Sequence, residues 1–330
     1  MSHTLLEIKN LTVSVEKAGM RTAIVKGVDI KVPQGKIVGL VGESGCGKSM
    51  TAKTINGILP TAAKVTDGAV LWHGNPNTET DLAKLSEQKL RKLCGSQIGM
   101  VFQEPMTSLN PMMRIGSQVS EALLIHKLVP NKKEARAKTI RLLDEVGIPE
   151  PELRYRSFPH ELSGGMRQRV MIAMAVVCEP KLLIADEPTT ALDVTIEAQI
   201  LKLIKKMCDA YSMSAIVITH NMGVVAQICD YVYVMYMGRI MERTTVKRLF
   251  ERPLHPYTRG LLASIPRIGK NPEYLQTIPG NIPEIGKEIV GCEFCLRCSD
   301  DERVCFFEKP AEREIEEGHF VRCHTVLARD

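Results

Sequence analysis

Residues 42–49 read GESGCGKS, which satisfies G-x4-G-K-[ST], the phosphate-binding P-loop pattern. The pattern has chemical content only at a strand-to-helix junction, and the flanks supply one. Val38, Gly39, Leu40 and Val41 form a short apolar run before it, and Met50 to Ile58 has helical character after it. Glycines let successive N–H groups wrap a phosphate, and the helix N-terminus adds a favourable dipole. Lys48 reaches toward β- and γ-phosphates, and Ser49 supplies a Mg2+ ligand. The expected ligand is a Mg-nucleotide, bound by Gly42, Glu43, Ser44, Gly45, Cys46, Gly47, Lys48, Ser49 and Met50.

The rest of the first 250 residues alternates strand and helix signals around this loop. Leu6, Ile8, Leu11 and Val13, then Ile24, Val28, Ile30 and Val32, alternate with polar residues as half-buried strands do. A small antiparallel sheet is expected on the N-terminal side of the nucleotide core. Ile98 to Phe102, Lys181 to Glu187, Ala215 to Thr219 and Val232 to Met237 read as short buried strands, which with intervening helices imply a parallel sheet. Two helical patterns, Ile115 to Leu128 and Lys132 to Val146, the second closed by Gly147 and Pro149, interrupt the alternation. They predict an inserted helical subdomain over about 104–161. The expected fold is α/β, with domains at 1–250 and 251–330. Beyond Phe250 prolines punctuate a loop-rich extension, in which five cysteines crowd 292–323.

Composition excludes several classes. With 44% hydrophobic and 25% charged residues the chain reads as globular, and a net charge of +5 spread over mixed signs gives no electrostatic case for nucleic acid. The longest wholly apolar run, Val170 to Cys178, falls far short of the roughly 20 residues that span a bilayer. Glu7 and Lys9 stand where a signal peptide needs an apolar core, so a cytoplasmic protein is expected.

Phosphoryl transfer needs a metal, a positioned water and charge stabilisation besides the phosphate cradle. Asp186, ending an apolar strand, suits Mg2+. Glu187, one residue on, points to the other side of an extended chain and is a candidate base; a plain helix start before Pro188 is the alternative. Gln103 and His220 end two other strands of the same set. Ser163, Gly164 and Gly165 open a strongly apolar helix.

Together these segments resemble the ATPase subunit of ATP-binding cassette (ABC) transporters over roughly residues 5–250. The P-loop is joined by Gln103 in VFQEP, the signature LSGGM at 162–166, the strand LLIADE, ALD at 191–193 and His220 in ITH. The resemblance implies a P-loop NTPase cassette with a RecA-like core, pairing head to tail so that ATP lies between one P-loop and the other signature. On that basis Gln103 and Asp186 serve Mg2+ and the lytic water, and Glu187 is the base. His220 contacts the γ-phosphate, Ser163, Gly164 and Gly165 contact the partner's γ-phosphate, and Asp193 links the two sites. Two departures stand out: Met166 replaces the commonest glutamine, and residues 1–71 hold no aromatic to stack on adenine, leaving Met20, Arg21, Thr22 or Ile24.

RPLHPYTRGLLASIP, 252–266, is similar to the C-terminal extension of dipeptide and oligopeptide importer ATPases, with nickel importers as close relatives. This implies two transmembrane permease subunits, a homologous ATPase subunit as heteromeric partner or a second copy, and an extracytoplasmic peptide-binding protein. It also implies a peripheral position on the cytoplasmic face of the membrane. For the cysteines, spacing alone allows Cys292, Cys295, Cys298 and Cys305, as in a ferredoxin run. The family's C-x5-C-x6-C-x17-C maps onto Cys292, Cys298, Cys305 and Cys323, for a [4Fe-4S] cluster. Zinc, with His319 or His324 as further ligands, is the alternative.

Overall fold

The computed structural model describes residues 3–17, 19–75, 78–190, 192–265, 277–284, 286 and 289–328. Its strands are β1 (Thr4–Lys17), β2 (Met20–Pro33), β3 (Ile37–Val41), β4 (Ala63–Asn75), β5 (Thr78–Asp81), β6 (Ile98–Val101), β7 (Leu182–Asp186), β8 (Ser214–Thr219), β9 (Tyr231–Tyr236), β10 (Arg239–Thr245), β11 (Arg313–Glu316) and β12 (His319–Val321). The chain divides into two compact units, both discontinuous in sequence. One holds residues 1–6, 32–37 and 72–218; the other holds 7–31, 38–71 and 219–330.

In the first unit β7 lies between β6 and β8, all parallel, with Ile98 opposite Leu182 and Asp186 opposite Ile218. Every residue of β7 and β8 is buried. A strand covered on both faces must be apolar throughout, which is why Leu182 to Ala185 reads as a continuous run. Parallel pairing puts Asp186 at the carboxyl end of β7, and Gln103 and Glu187 just past the ends of β6 and β7, where α/β sheets place ligands. The helices Ile115–Ile125 and Lys132–Glu145 pack on each other and on Gly164–Val176. Asn131 caps the second of them, accepting from Glu134 N at 3.0 Å. A buried hydroxyl set, Ser120 with Thr139 at 2.9 Å and with Tyr155 at 3.1 Å, fixes how these helices meet.

In the second unit β3 and β9 are parallel, Val38 opposite Tyr231 and Val41 opposite Val234. Beyond β9 the pairing turns antiparallel, through β10 to β12 and β11. The sheet is therefore mixed rather than wholly parallel. The segment after Phe250 is also less irregular than its prolines suggest. It contains the helix Pro256–Ala263 and the β11–β12 hairpin, which turns at Gly318 with φ 73°. Its buried side chains Tyr257, Leu261, Cys292, Phe294, Cys295 and Cys305 share one core with Val41, Val232, Val234, Tyr236 and Met241. The carboxylate of Glu242, 1% exposed, secures the arrangement by accepting from Leu254 N (2.8 Å), His255 N (2.9 Å) and, at 2.8 Å, pairing with His319 Nε2.

Candidate nucleotide and cysteine sites

The P-loop of the second unit joins β3 to the helix Lys48–Asn56. Gly42 has to be glycine: a Cβ there would lie 2.1 Å from Met235 O. Gly47 caps the helix in the left-handed region at φ 108°, with its ideal Cβ 2.9 Å from Met235 Cε, so a side chain is opposed by both backbone and space. No acidic residue occupies the first turn of that helix, so its N-terminal field is not offset locally. Lys48 is 4% exposed, and its ammonium donates to Gly42 O at 2.7 Å and Glu43 O at 2.9 Å. Burial pushes the Cys46 thiol above its ordinary value, so it serves as packing 3.7 Å from Lys48 Nζ. Glu43 behaves differently from its neighbours. Its amide donates to Tyr257 Oη and its carboxylate is taken by Arg297, so its polar groups are committed to the chain itself. Ser44 and Gly45 are exposed and Ser49 and Met50 half-buried. His220 follows Thr219 and is exposed; Asn221 then caps the helix Met222–Ile228. Met20, a candidate for covering adenine, is 72% exposed.

The first unit brings together Gln103, Asp186 and Glu187. Asp186 is 4% exposed at the last position of β7. Glu187 leaves the strand with φ 46°, a left-handed conformation uncommon for glutamate, held by its N–H to Ile218 O at 2.9 Å. Its Oε2 accepts from Gln103 Nε2 at 3.1 Å and from Thr190 Oγ1 at 3.0 Å. The acidic pair is thus not a helix start: the next helix, Val194–Ala210, is capped by Asp193, which accepts from Ile196 N at 2.9 Å. Ser163 caps Gly164–Val176 by accepting from Met166 N at 3.3 Å. Gly164 is open around its Cα, and Gly165 lies against Ile196. Thr190 and buried Gln168, whose Nε2 donates to Pro188 O, were not singled out by the sequence. The one signal that could have found Thr190 is its place three residues after Glu187. Ala191 lies outside the described residues, as does Pro266.

The cysteine segment does not form a ready ion site. Among the described residues, which include all five thiols, no group of three or more His, Cys, Asp or Glu side chains is placed to hold a metal ion. The expected metal-binding domain therefore lacks support. The physical reason is packing: Cys292, Cys295 and Cys305 are built into the core around Tyr257 and Phe294, and Cys323 into a separate small cluster with Leu254 and Val321. The histidines offered for zinc are engaged elsewhere, His319 on Glu242 and His324 on Glu308 O. The thiols nevertheless sense one another. Burial pushes Cys292 up to about 12 and Cys298 up to about 11, and charge on Cys305 and Cys323 adds to both shifts. Burial thus favours the neutral thiol at Cys292 and Cys298, both within electrostatic reach of Cys305 and Cys323. The scattered Cys94, Cys178 and Cys208 are likewise raised by burial, to about 11, 11 and 12, as inert packing thiols.

The ABC transporter family matches residues 25–190, and the oligopeptide/dipeptide transporter C-terminal region matches residues 241–305. The dipeptide transport ATP-binding protein DppD of Bacillus subtilis is 46% identical over 99% of this chain and 98% of its own. The oligopeptide transport ATP-binding protein AppD of the same organism is 45% identical over 97% and 96%. Among solved structures, the dimeric ATP-binding cassette MJ0796 in a post-hydrolysis state with ADP and Pi matches with a TM-score of 0.64 at 26% identity. The match covers 73% of this chain and 98% of that one. CbiO1 from Clostridium perfringens, part of the ABC transporter complex cbiONQ, matches with a TM-score of 0.62 at 30% identity, covering 76% and 91%. Among the described residues no helix is long and apolar enough to cross a membrane. With 45–46% identity to such relatives over nearly the whole chain, the chain belongs to the ABC transporter family as one of its ATP-hydrolysing subunits.

Proposed function

We propose that this chain powers the uptake of di- or oligopeptides by hydrolysing ATP for a pair of membrane permeases. The observation that carries the hydrolytic part is Glu187, held by Gln103 and Thr190 immediately after a buried strand that ends in Asp186. The peptide part is supported by the C-terminal region match and by relatives named for dipeptide and oligopeptide transport. In this reading Gly42 to Met50 binds the nucleotide, with Lys48 on the β- and γ-phosphates. Ser49, Gln103 and Asp186 serve Mg2+, and Glu187 takes the proton of the attacking water. His220 contacts the γ-phosphate. Ser163, Gly164 and Gly165 present a helix N-terminus to the nucleotide of a facing cassette, and Asp193 links the two sites. The facing cassette is a homologous ATPase subunit, and a peptide-binding protein delivers substrate from outside. Cassette (1–250, helical subdomain about 104–161) and extension (251–330) divide the labour. The subunit sits peripherally on the permeases at the cytoplasmic face. Cys292, Cys298, Cys305 and Cys323 are the residues that would hold a [4Fe-4S] cluster if the packed segment rearranged to bring them together, and the cluster would then staple the extension.

The test is reconstitution of the co-purified permease complex in liposomes with its binding protein. Dipeptide-stimulated phosphate release is expected, together with peptide accumulation. Hydrolysis unaffected by any peptide of two to five residues would sink the peptide assignment, while leaving the ATPase intact. Iron analysis and visible absorption of anaerobically purified protein test the cluster separately.

A further inference from the structure

The second residue of the P-loop is an acid, in a loop that must accept the anionic phosphates of ATP. An unpaired carboxylate there opposes binding, because like charges a few ångströms apart in a partly buried site repel strongly. The fold answers with an arginine 254 positions away. Arg297 Nη1 donates to Glu43 Oε2 at 2.7 Å and Nη2 to Glu43 Oε1 at 3.1 Å, a two-pronged pairing. The arginine side chain is only 4% exposed, whereas that of Glu43 is 25% exposed. Its Nε donates to Pro279 O at 3.0 Å, Nη1 also reaches Tyr236 Oη at 3.4 Å and Nη2 reaches Ile278 O at 3.5 Å, and its guanidinium lies 5.8 Å from the Tyr236 ring centre. It sits on the short turn Cys295–Arg297, next to Cys298.

A second group from the same extension reaches the same residue. Tyr257 Oη accepts from Glu43 N at 2.9 Å. The tyrosine is fully buried among Tyr236 and Phe294, with ring centres 4.8 and 5.3 Å away. Glu43 O in turn accepts from Lys48 Nζ. Both prongs of the carboxylate, the amide and the carbonyl are therefore all engaged, two of these three contacts being made by residues beyond 250.

We infer that Arg297 and Tyr257 are positioning residues for nucleotide binding: the C-terminal extension neutralises Glu43 and holds the P-loop in its phosphate-accepting shape. A glycine-rich loop that must be ordered by its ligand binds more weakly than one already ordered, so the brace raises affinity without touching ATP. The inference rests on the nucleotide reading of the P-loop given above.

The test uses the full chain and MgATP, with dissociation constants from a fluorescent ATP analogue and competition, and with circular dichroism on every variant. Arg297→Gln leaves the Glu43 charge uncompensated and is expected to weaken MgATP about tenfold or more. Adding Glu43→Gln to that variant removes the uncompensated charge and is expected to restore most of the loss. A merely architectural arginine would not be rescued in this way. Tyr257→Phe, which deletes one oxygen and keeps the ring, is expected to weaken MgATP about threefold. In the reconstituted complex the losses should fall on KM rather than kcat. An unchanged dissociation constant in Arg297→Gln, or a double variant as weak as the single or weaker, overturns the inference. If Arg297→Gln does not fold, Arg297→Lys and Tyr257→Phe decide: wild-type affinity in both overturns it. A wild-type chain that binds no MgATP at all would instead remove the nucleotide reading on which this rests.

Discussion

Replacing Glu187 by glutamine separates holding ATP from splitting it. The substitution keeps the size of the side chain and loses only its ability to accept a proton, and the left-handed backbone at φ 46° suits either residue equally. The amide oxygen of the new side chain can still accept from Thr190 Oγ1, now 3.0 Å from Oε2, so the turn should persist. What disappears is the proposed base, a contribution of about 10²- to 10⁴-fold in rate, or roughly 3–5 kcal/mol of barrier. The measurement is single-turnover and steady-state phosphate release by the reconstituted complex, beside MgATP affinity of the same preparation. The expected result is kcat lower by at least about a hundredfold with affinity within about threefold of wild type. A variant releasing phosphate at more than a third of the normal rate refutes the role of Glu187 and returns the base to another residue.

Other perturbations read other parts of the structure. Lys48→Ala removes the buried ammonium proposed to meet the β- and γ-phosphates and should weaken MgATP by about 30- to 150-fold, measurable by nucleotide competition. Ser163→Ala deletes an N-cap, so about 1 kcal/mol of stability should be lost in denaturant unfolding, with hydrolysis by the paired complex falling further than MgATP binding by the isolated chain. Glu242→Ala strands His319 and two buried N–H groups; a loss of about 3–5 kcal/mol is expected, with hydrogen exchange rising first in 313–321. His255 gives a pH signature. Burial, opposed by Glu242 and reinforced by Arg259, lowers it from 6.5 to about 4, so the folded chain prefers neutral imidazole. Its contribution is complete above pH 6.5 and drains away as the pH falls toward 4, to a limit of about 3 kcal/mol. Denaturant midpoints of wild type and His255→Gln should converge over that window as the pH is lowered.

Local patterns carried most of the cassette. LLIAD is apolar because β7 is covered on both faces, and such a run announces itself, as does a glycine-rich loop between an apolar run and a helix. The carboxylate after β7 was visible too, but not its grip: Thr190 sits three residues on, where only the left-handed turn at Glu187 brings its hydroxyl back. The short elements of the loop-rich extension do not show in sequence, because their order comes from elsewhere. β11 and β12 are four and three residues long, too short for alternation to register; β12 exists by pairing onto β10 and β11 by pairing onto β12. Tyr257 lies inside RPLHPYTRGLLASIP with nothing local to single it out, and Arg297 carries no local signal at all. Contacts spanning 214 and 254 positions have no signature in composition or spacing. The cysteines show the converse: their spacing suggested ligands, while their depth in the core came from aromatic neighbours that spacing cannot reveal.

The pairing of β12 with β10 bears on any attempt to produce the ATPase portion alone. A chain ended after residue 250 would strip Glu242 and Arg243 of their backbone partners Val321 and Phe320 and bare the flank of β10. It would also wet Tyr236 and Met241. Open strand flanks beside greasy side chains recruit whatever extended peptide is at hand, so such a fragment should clump at concentrations where the whole protein stays dispersed. The last eighty residues serve, in effect, as a guard rail for the sheet that holds the P-loop.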